Sequence, residues 1–242
     1  LLKILSLPVN QSIWGLLIVL FIAMVVVSQF MLTFGSDPNA KVTKKSKSPL
    51  SFHPIALIFG LLSFVSYLVE GAVGDWSALY LFEDKGIVIE EAVMGVMLFN
   101  GTMCIGRLLG NRLGKHLTSK QVVVGGYLLG SIAMGLIVFL PGHASMYTYL
   151  LLGISLAMIV PNLFSAMGEQ NVIPMTQAVA TSTMLGYMGI LMGPALIGFI
   201  AHGTSLTVAF IVLTILLVVS AGIGKYAYHL MSKDCGLSEE QI

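Results

Sequence analysis

Residues 54–81 read PIALIFGLLSFVSYLVEGAVGDWSALYL and carry only two charged side chains, Glu70 and Asp75. A helix needs about 20 predominantly apolar residues to cross the hydrocarbon core of a bilayer, which is about 30 Å thick. This stretch is long enough, and its apolar residues do not alternate with polar ones as they would in a barrel strand. We therefore predict a transmembrane α-helix over 54–81.

Six further stretches have the same apolar character. They are residues 13–34, 92–112, 121–140, 146–167, 176–201 and 206–228. Of the 242 residues, 57% are hydrophobic and only 10% are charged, whereas roughly 25% are charged in an ordinary soluble domain. So few charges cannot cover the exterior of a soluble protein. The composition excludes a soluble enzyme and predicts an all-α, polytopic transmembrane helical bundle with seven spans.

The basic residues predict the orientation of these spans. Seven crossings place most of them on one side of the membrane, namely Lys41, Lys44, Lys45, Lys47, Arg107, Arg112, Lys115, Lys120, Lys225 and Lys233. The positive-inside rule makes this side and the C-terminus cytoplasmic, and the acidic linker 82–91 then lies outside. The net charge is only +1, so no general positive field attracts nucleic acid.

The longest polar linker, residues 35–51, is rich in Lys and Ser. Such a composition is typical of a flexible boundary. We predict a single transmembrane helix within 1–34, a cytoplasmic basic linker over 35–51, a six-helix unit over 52–230 and a cytoplasmic tail over 231–242.

Glu70 is the residue that chemistry singles out. A rise of 1.5 Å per residue places it within about 3 Å of the midpoint of span 54–81. An ionised carboxylate that faces lipid at this depth costs several kcal/mol, so we expect Glu70 to face the bundle interior. There it suits proton exchange or solute binding; the alternative is a protonated side chain held by a neighbouring helix. Tyr67 shares its face, whereas Asp75 lies near the outer end of the span beside Trp76, as an interfacial charge or a gate residue.

Three more polar side chains inside predicted spans are candidates for solute contact: Asn100, Asn162 and Tyr187. Asn100 lies near mid-depth, where an amide contacts solute or makes an interhelical hydrogen bond. Pro161, next to Asn162, leaves a helical carbonyl without its donor and predicts a bend. Tyr187 is flanked by glycines, which favours helix packing over solute contact.

Residues 106–116 read GRLLGNRLGKH. The glycines recur every four residues and favour close helix packing, and the cations suit an interfacial cluster that faces lipid headgroups. The string also resembles the loop motif of the major facilitator superfamily, Gly-x-Leu-Ala-Asp-Arg-x-Gly-Arg-Lys, in its second copy between helices 8 and 9. Asn111 stands where the motif has Asp, and Arg107 where it opens with Gly. The resemblance implies a gating role for the matching core, which is Gly110, Asn111, Arg112, Gly114 and Lys115.

Other stretches strengthen this resemblance, which covers about residues 54–230. Residues 157–166 resemble family helix 10 and residues 186–198 resemble helix 11. Residues 70–80 are similar to helix 7 of a bacterial subgroup that includes a rhizopine permease. The resemblance implies that 13–34 is helix 6 and that the rest is the C-terminal six-helix half. Helices 1–5 are then absent, and Leu rather than Met at position 1 agrees with truncation.

The resemblance implies a secondary active transporter of the bacterial inner membrane that moves a small solute by alternating access. We expect it to couple transport to protons and to need membrane lipids and the missing N-terminal half as partners. The site candidates, in order, are Glu70, Tyr67, Asn100, Asn162 and Tyr187. No Walker motif occurs, so the chain itself is not driven by ATP.

Other classes of function fit the sequence less well. A noncatalytic membrane scaffold and a seven-helix receptor stay open as alternatives. A seven-helix retinal protein would need a lysine in the middle of its last span, but the last span here holds a lysine only at its cytoplasmic end, Lys225. The motifs of intramembrane and serine hydrolases are missing, so we predict no catalytic residues. The histidines and cysteines do not stand at metal-ligand spacing, and we predict no metal and no cofactor.

Overall fold

The computed structural model describes residues 14–15, 17–19, 21–26, 28, 50, 53–113, 117–170 and 172–235. The chain divides into two compact units, residues 1–46 and 47–242. The described residues of the first unit are helical, and they include the apolar helix Leu17–Val26. The rest of the predicted span 13–34, almost all of the linker 35–51 and the tail after 235 lie outside the described residues.

The second unit is built of helices. In chain order they are α1 (Pro54–Glu83), α2 (Ile89–Leu113), α3 (Ser119–Phe139), α4 (Gly142–Ala157), α5 (Ile159–Glu169), α6 (Met175–Gly203) and α7 (Leu206–Cys235). Counting α4 and α5 together as Gly142–Glu169, six of these segments are long and apolar enough to cross a membrane. The prediction of an all-α, polytopic membrane bundle is therefore confirmed.

Local sequence signals set the helix ends. Pro54 occupies the first turn of α1 behind the cap residue His53, where a missing N–H costs nothing. A capping box of Thr118 and Gln121 begins α3, which satisfies N–H groups that the first turn leaves open. Gly86 has a φ of 67° in the turn between α1 and α2, a conformation that glycine adopts readily. Because the connections are short, consecutive spans are antiparallel; we name the two ends of the bundle the Pro54 end and the Glu83 end.

The helices of the second unit pack mainly in pairs. The most extensive interfaces join α1 to α6, α3 to α7 and α2 to α4. The core holds large side chains that are fully buried, and one of them links α1 to α3: the Tyr127 hydroxyl donates to the Leu62 carbonyl at 2.7 Å and lies 2.8 Å from the Ser66 hydroxyl. This pairing satisfies a polar group that is costly to bury alone.

The structure differs from the predicted spans at two places. The span predicted over 146–167 is broken, because α4 ends at Ala157 and α5 begins at Ile159. Pro161 cannot donate to the Ala157 carbonyl, so the predicted bend becomes a break at Met158. The last helix continues to Cys235, seven residues beyond the predicted end at 228, because no Pro or Gly interrupts residues 225–235.

Candidate functional site

Glu70 and Arg107 form an ion pair between α1 and α2. Arg107 Nη2 lies 3.3 Å from Glu70 Oε2, and the side chains are 44% and 23% exposed, respectively. Glu70 lies close to the middle of α1. Arg107 lies inside α2, six residues before the end of this helix at Leu113.

The α1–α2 hairpin brings the two charges to a similar depth. At 1.5 Å per residue, Glu70 lies about 20 Å from the Glu83 end of α1. Arg107 lies about 27 Å along α2 from its start at Ile89. The long side chain of Arg107 reaches across this difference to Glu70. Sequence reasoning missed this partnership. The available signal was a cation within span 92–112, which needs a counter-charge inside a membrane.

Two tyrosines lie on the same side of the bundle. Tyr67 and Tyr187 stack with ring centroids 6.3 Å apart and an interplanar angle of 6°. The Tyr67 ring lies against Gly186, where an added Cβ would be 2.6 Å from Tyr67 Cδ2. Tyr187 is 64% exposed. We call Tyr67, Glu70, Arg107 and Tyr187 the central cluster, since the structure brings these four side chains to adjoining positions on α1, α2 and α6.

The glycines of α6 allow the close contact that carries Tyr187 to this position. Gly189 packs on the Phe64 carbonyl, and an added Cβ at Gly193 would be 2.5 Å from the Leu68 carbonyl oxygen. Trp76 Nε1 donates to the Pro194 carbonyl at 2.9 Å. These contacts leave no room for side chains at the crossing and hold α1 against α6 in one register.

Asn100 and Asp75 lie on two helices of the central cluster, α2 and α1. Asn100 is exposed, and its amide donates to the Val96 carbonyl of its own helix at 3.0 Å. It lies two turns from Arg107 on α2, so the two side chains share a face. Asp75 is exposed on α1, five residues from Glu70 and toward the Glu83 end.

Asn162 lies apart from the central cluster, at the break between α4 and α5. Its side-chain amide donates to the Met158 carbonyl at 2.8 Å, and its backbone N–H donates to the same oxygen at 3.2 Å. The carbonyl at the break is thereby satisfied. The structure thus explains Asn162 as a support for the broken helix.

The loop motif is only partly described. Gly110 lies against the Met158 side chain, and an added Cβ at Gly106 would be 2.6 Å from Ala157 Cβ. These glycines let α2 approach the break between α4 and α5. The backbone of Asn111 and Arg112 is helical, but their side chains, and Gly114 and Lys115 altogether, lie outside the described residues. Within the described ranges, no three His, Cys, Asp or Glu side chains group as a metal site.

Six apolar helices in one bundle define an integral membrane protein. No family model matches the chain, but curated relatives do. An uncharacterized MFS-type transporter of Yersinia pestis is 41% identical over 168 residues, which are 68% of this chain and 43% of the relative. The membrane protein MosC of Rhizobium meliloti is 31% identical over 151 residues, or 62% of this chain and 37% of MosC. The chain thus spans about two fifths of the length of these relatives.

A solved structure shows the same fold. The E. coli fucose:proton symporter FucP superposes with a TM-score of 0.63 at 16% identity, over 72% of this chain and 42% of that chain. Sequence and fold agree, and the predicted resemblance to the major facilitator superfamily is confirmed. The protein is an integral membrane protein whose helical bundle matches part of a major facilitator fold.

Proposed function

We propose that this chain is the C-terminal half, helix 6 to helix 12, of a secondary transporter that moves a small solute by alternating access and couples this movement to protons. The observation that carries the proposal is the ion pair between Glu70, close to the middle of α1, and Arg107, in the last third of α2. Ionisable groups at this depth are costly in a membrane and are typical of substrate and proton pathways. The transporters among the relatives support the same class of function.

The ion pair suits a coupling device because a proton changes it. When Glu70 is ionised, its attraction to Arg107 holds α1 and α2 together at this depth. Protonation of Glu70 removes the attraction and leaves the guanidinium able to bind a solute group instead. A proton and a solute that act on the same pair are thereby linked, which is the thermodynamic requirement for coupled transport. In this scheme Tyr67, Tyr187 and Asn100 are the further solute-contact candidates beside the pair. Asn162 lies apart from them and bonds the Met158 carbonyl, so we propose that it supports the broken helix.

The missing N-terminal half is the proposed partner for the open side of the cluster. Arg107, Asn100 and Tyr187 are exposed on α2 and α6, and nothing lies within 4 Å of an added Cβ at Gly74 or Gly101. In transporters built of repeats, solute binds near the bilayer midplane at the interface between repeats. Polar groups on this side therefore face the solute path when both halves are present.

The charge distribution supports an orientation with the Pro54 end cytoplasmic, and the bacterial relatives support a location in a bacterial inner membrane. Lys120, Lys225 and Lys233 lie near the Pro54 end, whereas Glu83, Asp84, Glu90 and Glu91 lie at the other end. This asymmetry follows the positive-inside rule. The loop motif, including Gly110, Asn111 and Arg112, then lies at the cytoplasmic side, where we propose that it acts in gating.

The test is uptake into vesicles that carry the full-length parent protein. Sugars, polyols, amino acids and amines are tested with and without an inward proton gradient, for the wild type, Glu70→Gln and the control Glu90→Gln, whose carboxylate lies in the first turn of α2. We expect gradient-driven accumulation in the wild type and the control. Glu70→Gln should lose accumulation yet keep exchange of solute across the membrane. Equal accumulation in all three proteins makes Glu70 structural, and no movement of any solute favours a scaffold.

A further inference from the structure

A second candidate site lies at the Glu83 end, about 20 Å along α1 from Glu70. A cavity of about 450 Å³ opens there between α1, α6 and α7. Its volume lies in the range of small-molecule sites, about 300–1,000 Å³. The side chains that bear on its chemistry are Trp76, Leu79, Glu83, Asp84, His202 and Leu206.

The cavity has a negative character. Glu83 ends α1 and Asp84 is its cap residue. The Thr207 hydroxyl donates to Asp84 Oδ1 at 2.8 Å, which holds this carboxylate beside the cavity. Both α1 and α6 end here, at Glu83 and Gly203, and α7 begins here at Leu206. The positive end of the α7 dipole opposes the negative ends of the other two, so the negative character of the cavity comes mainly from the two carboxylates. His202 is a further titratable group of the lining.

The neighbouring cation, Lys85, does not line the cavity. Lys85 Nζ donates to the Val138 carbonyl at 2.6 Å, near the end of α3, and lies 5.3 Å from the centre of the Tyr80 ring. Burial lowers the pKa of the Lys85 ammonium, and the charge of Asp84 opposes this shift. The Lys85 ammonium is thus bonded to α3 and not to the residues that line the cavity.

The Trp76 side chain lines the same cavity as the two carboxylates. One edge of the Trp76 indole lies against α6: Nε1 donates to the Pro194 carbonyl, and an added Cβ at Gly198 would be 2.9 Å from the nearby atom Cζ2. Leu79 and Leu206 extend the apolar part of the lining. Aromatic faces together with carboxylates are the groups that recognise organic ammonium ions.

We propose that this cavity binds an organic ammonium cation with an apolar body, at a site separate from the Glu70–Arg107 pair. The proposal does not depend on transport. Free amines and the headgroup of phosphatidylethanolamine share the ammonium chemistry. The free cation fits better, because the lipid phosphate would bring a negative charge close to Glu83 and Asp84.

The test is equilibrium binding of radiolabelled benzyltrimethylammonium to the full-length parent protein in vesicles of phosphatidylcholine and phosphatidylglycerol. The cavity variant Glu83→Gln/Asp84→Asn is compared with Glu90→Gln/Glu91→Gln, which removes two charges from the neighbouring first turn of α2, outside the lining. We expect saturable wild-type binding, about tenfold weaker binding in the cavity variant and a change below about twofold in the control. Neutral benzyl alcohol should not compete.

Several results would overturn the proposal: no saturable binding by the wild type, equal losses in the two double variants, or competition by benzyl alcohol. A loss in Glu70→Gln without a loss in the cavity variant would place the cation at the central cluster and also overturn it. Adding phosphatidylethanolamine to the vesicles identifies the source of the ammonium: displacement of the probe supports the headgroup, and unchanged binding supports a soluble cation. Because flux is not measured, failure of the transport proposal leaves this test intact.

Discussion

The two sides of α1 are held by different forces. Toward α6, Gly189 and Gly193 press on backbone carbonyls of α1, and close packing with one hydrogen bond, from Trp76 to the Pro194 carbonyl, sets the register. Toward α2, the link includes a charge pair, Glu70 with Arg107. A contact made by shape has one position, because packed interiors deform little. A charge pair is lost when its carboxylate takes up a proton, so under the proposed function the contact toward α2 changes and the contact toward α6 stays.

The same contrast extends to the helix on the other side of the ion pair. Gly153 of α4 packs on the Phe99 carbonyl of α2, and Gly106 of α2 packs on Ala157. Glycine packing therefore joins α1 to α6 and also α2 to α4. The Glu70–Arg107 ion pair connects a helix of the first pair to a helix of the second.

Disrupting the contact between α1 and α6 should cause the largest loss in the free energy of unfolding. Gly189→Val puts a branched side chain onto the Phe64 carbonyl, and overpacking against backbone costs about 3 kcal/mol. The free energy of unfolding of the full-length parent in mixed micelles measures this loss. The matched control is Gly222→Val in α7, where nothing lies within 4 Å of an added Cβ. Equal losses in both variants would show that the α1–α6 contact is not tight.

Breaking the charge-held side should affect transport more than stability. Arg107→Gln leaves Glu70 without its counter-charge, and we expect gradient-driven uptake to fall at least about tenfold. The partly exposed pair should contribute about 1 kcal/mol or less to stability. A double-mutant cycle with Glu70→Gln measures that coupling energy. A coupling energy near zero with normal uptake in Arg107→Gln would reject the bridge between helix pairs.

A smaller effect should follow loss of one hydrogen bond at the α1–α6 crossing. Trp76→Phe removes the donor to the Pro194 carbonyl and should lower the free energy of unfolding by about 1 kcal/mol. Trp14→Phe is the control, because Trp14 is 60% exposed and should change stability by less than about 0.5 kcal/mol. If the two variants lose equal stability, the Trp76 contact does not help to fix α1 on α6.

The smallest stability change is expected at Asn100. Its amide bonds only its own helix in the described contacts, so Asn100→Ala should change the free energy of unfolding by less than about 0.5 kcal/mol. If Asn100 contacts solute as proposed, the KM for uptake rises while the protein level stays constant. An unchanged KM would remove Asn100 from the site and leave the charge pair with the tyrosines.

Length and hydropathy were enough to predict six membrane-spanning helices of the second unit, because the bilayer thickness sets how many apolar residues a helix needs. The depth of Glu70 followed from the same count. Pro161 predicted a disturbed helix, since a missing N–H can be read directly from the sequence. The position of the break, at Met158, depended on packing against Gly110 and on the Asn162 amide.

The contacts between helices depend on how each helix is rotated and how closely the helices approach one another. A single sequence does not specify either. The pairing of Arg107 with Glu70, the stacking of Tyr67 on Tyr187 and the cavity beside Trp76 all join residues of different helices. Each depends on how α1, α2, α6 and α7 turn about their axes and how closely glycines let them approach. Spans and charge depth are properties of one helix and its solvent, so the sequence determined them; partners are properties of two helices, and only the tertiary structure decided them.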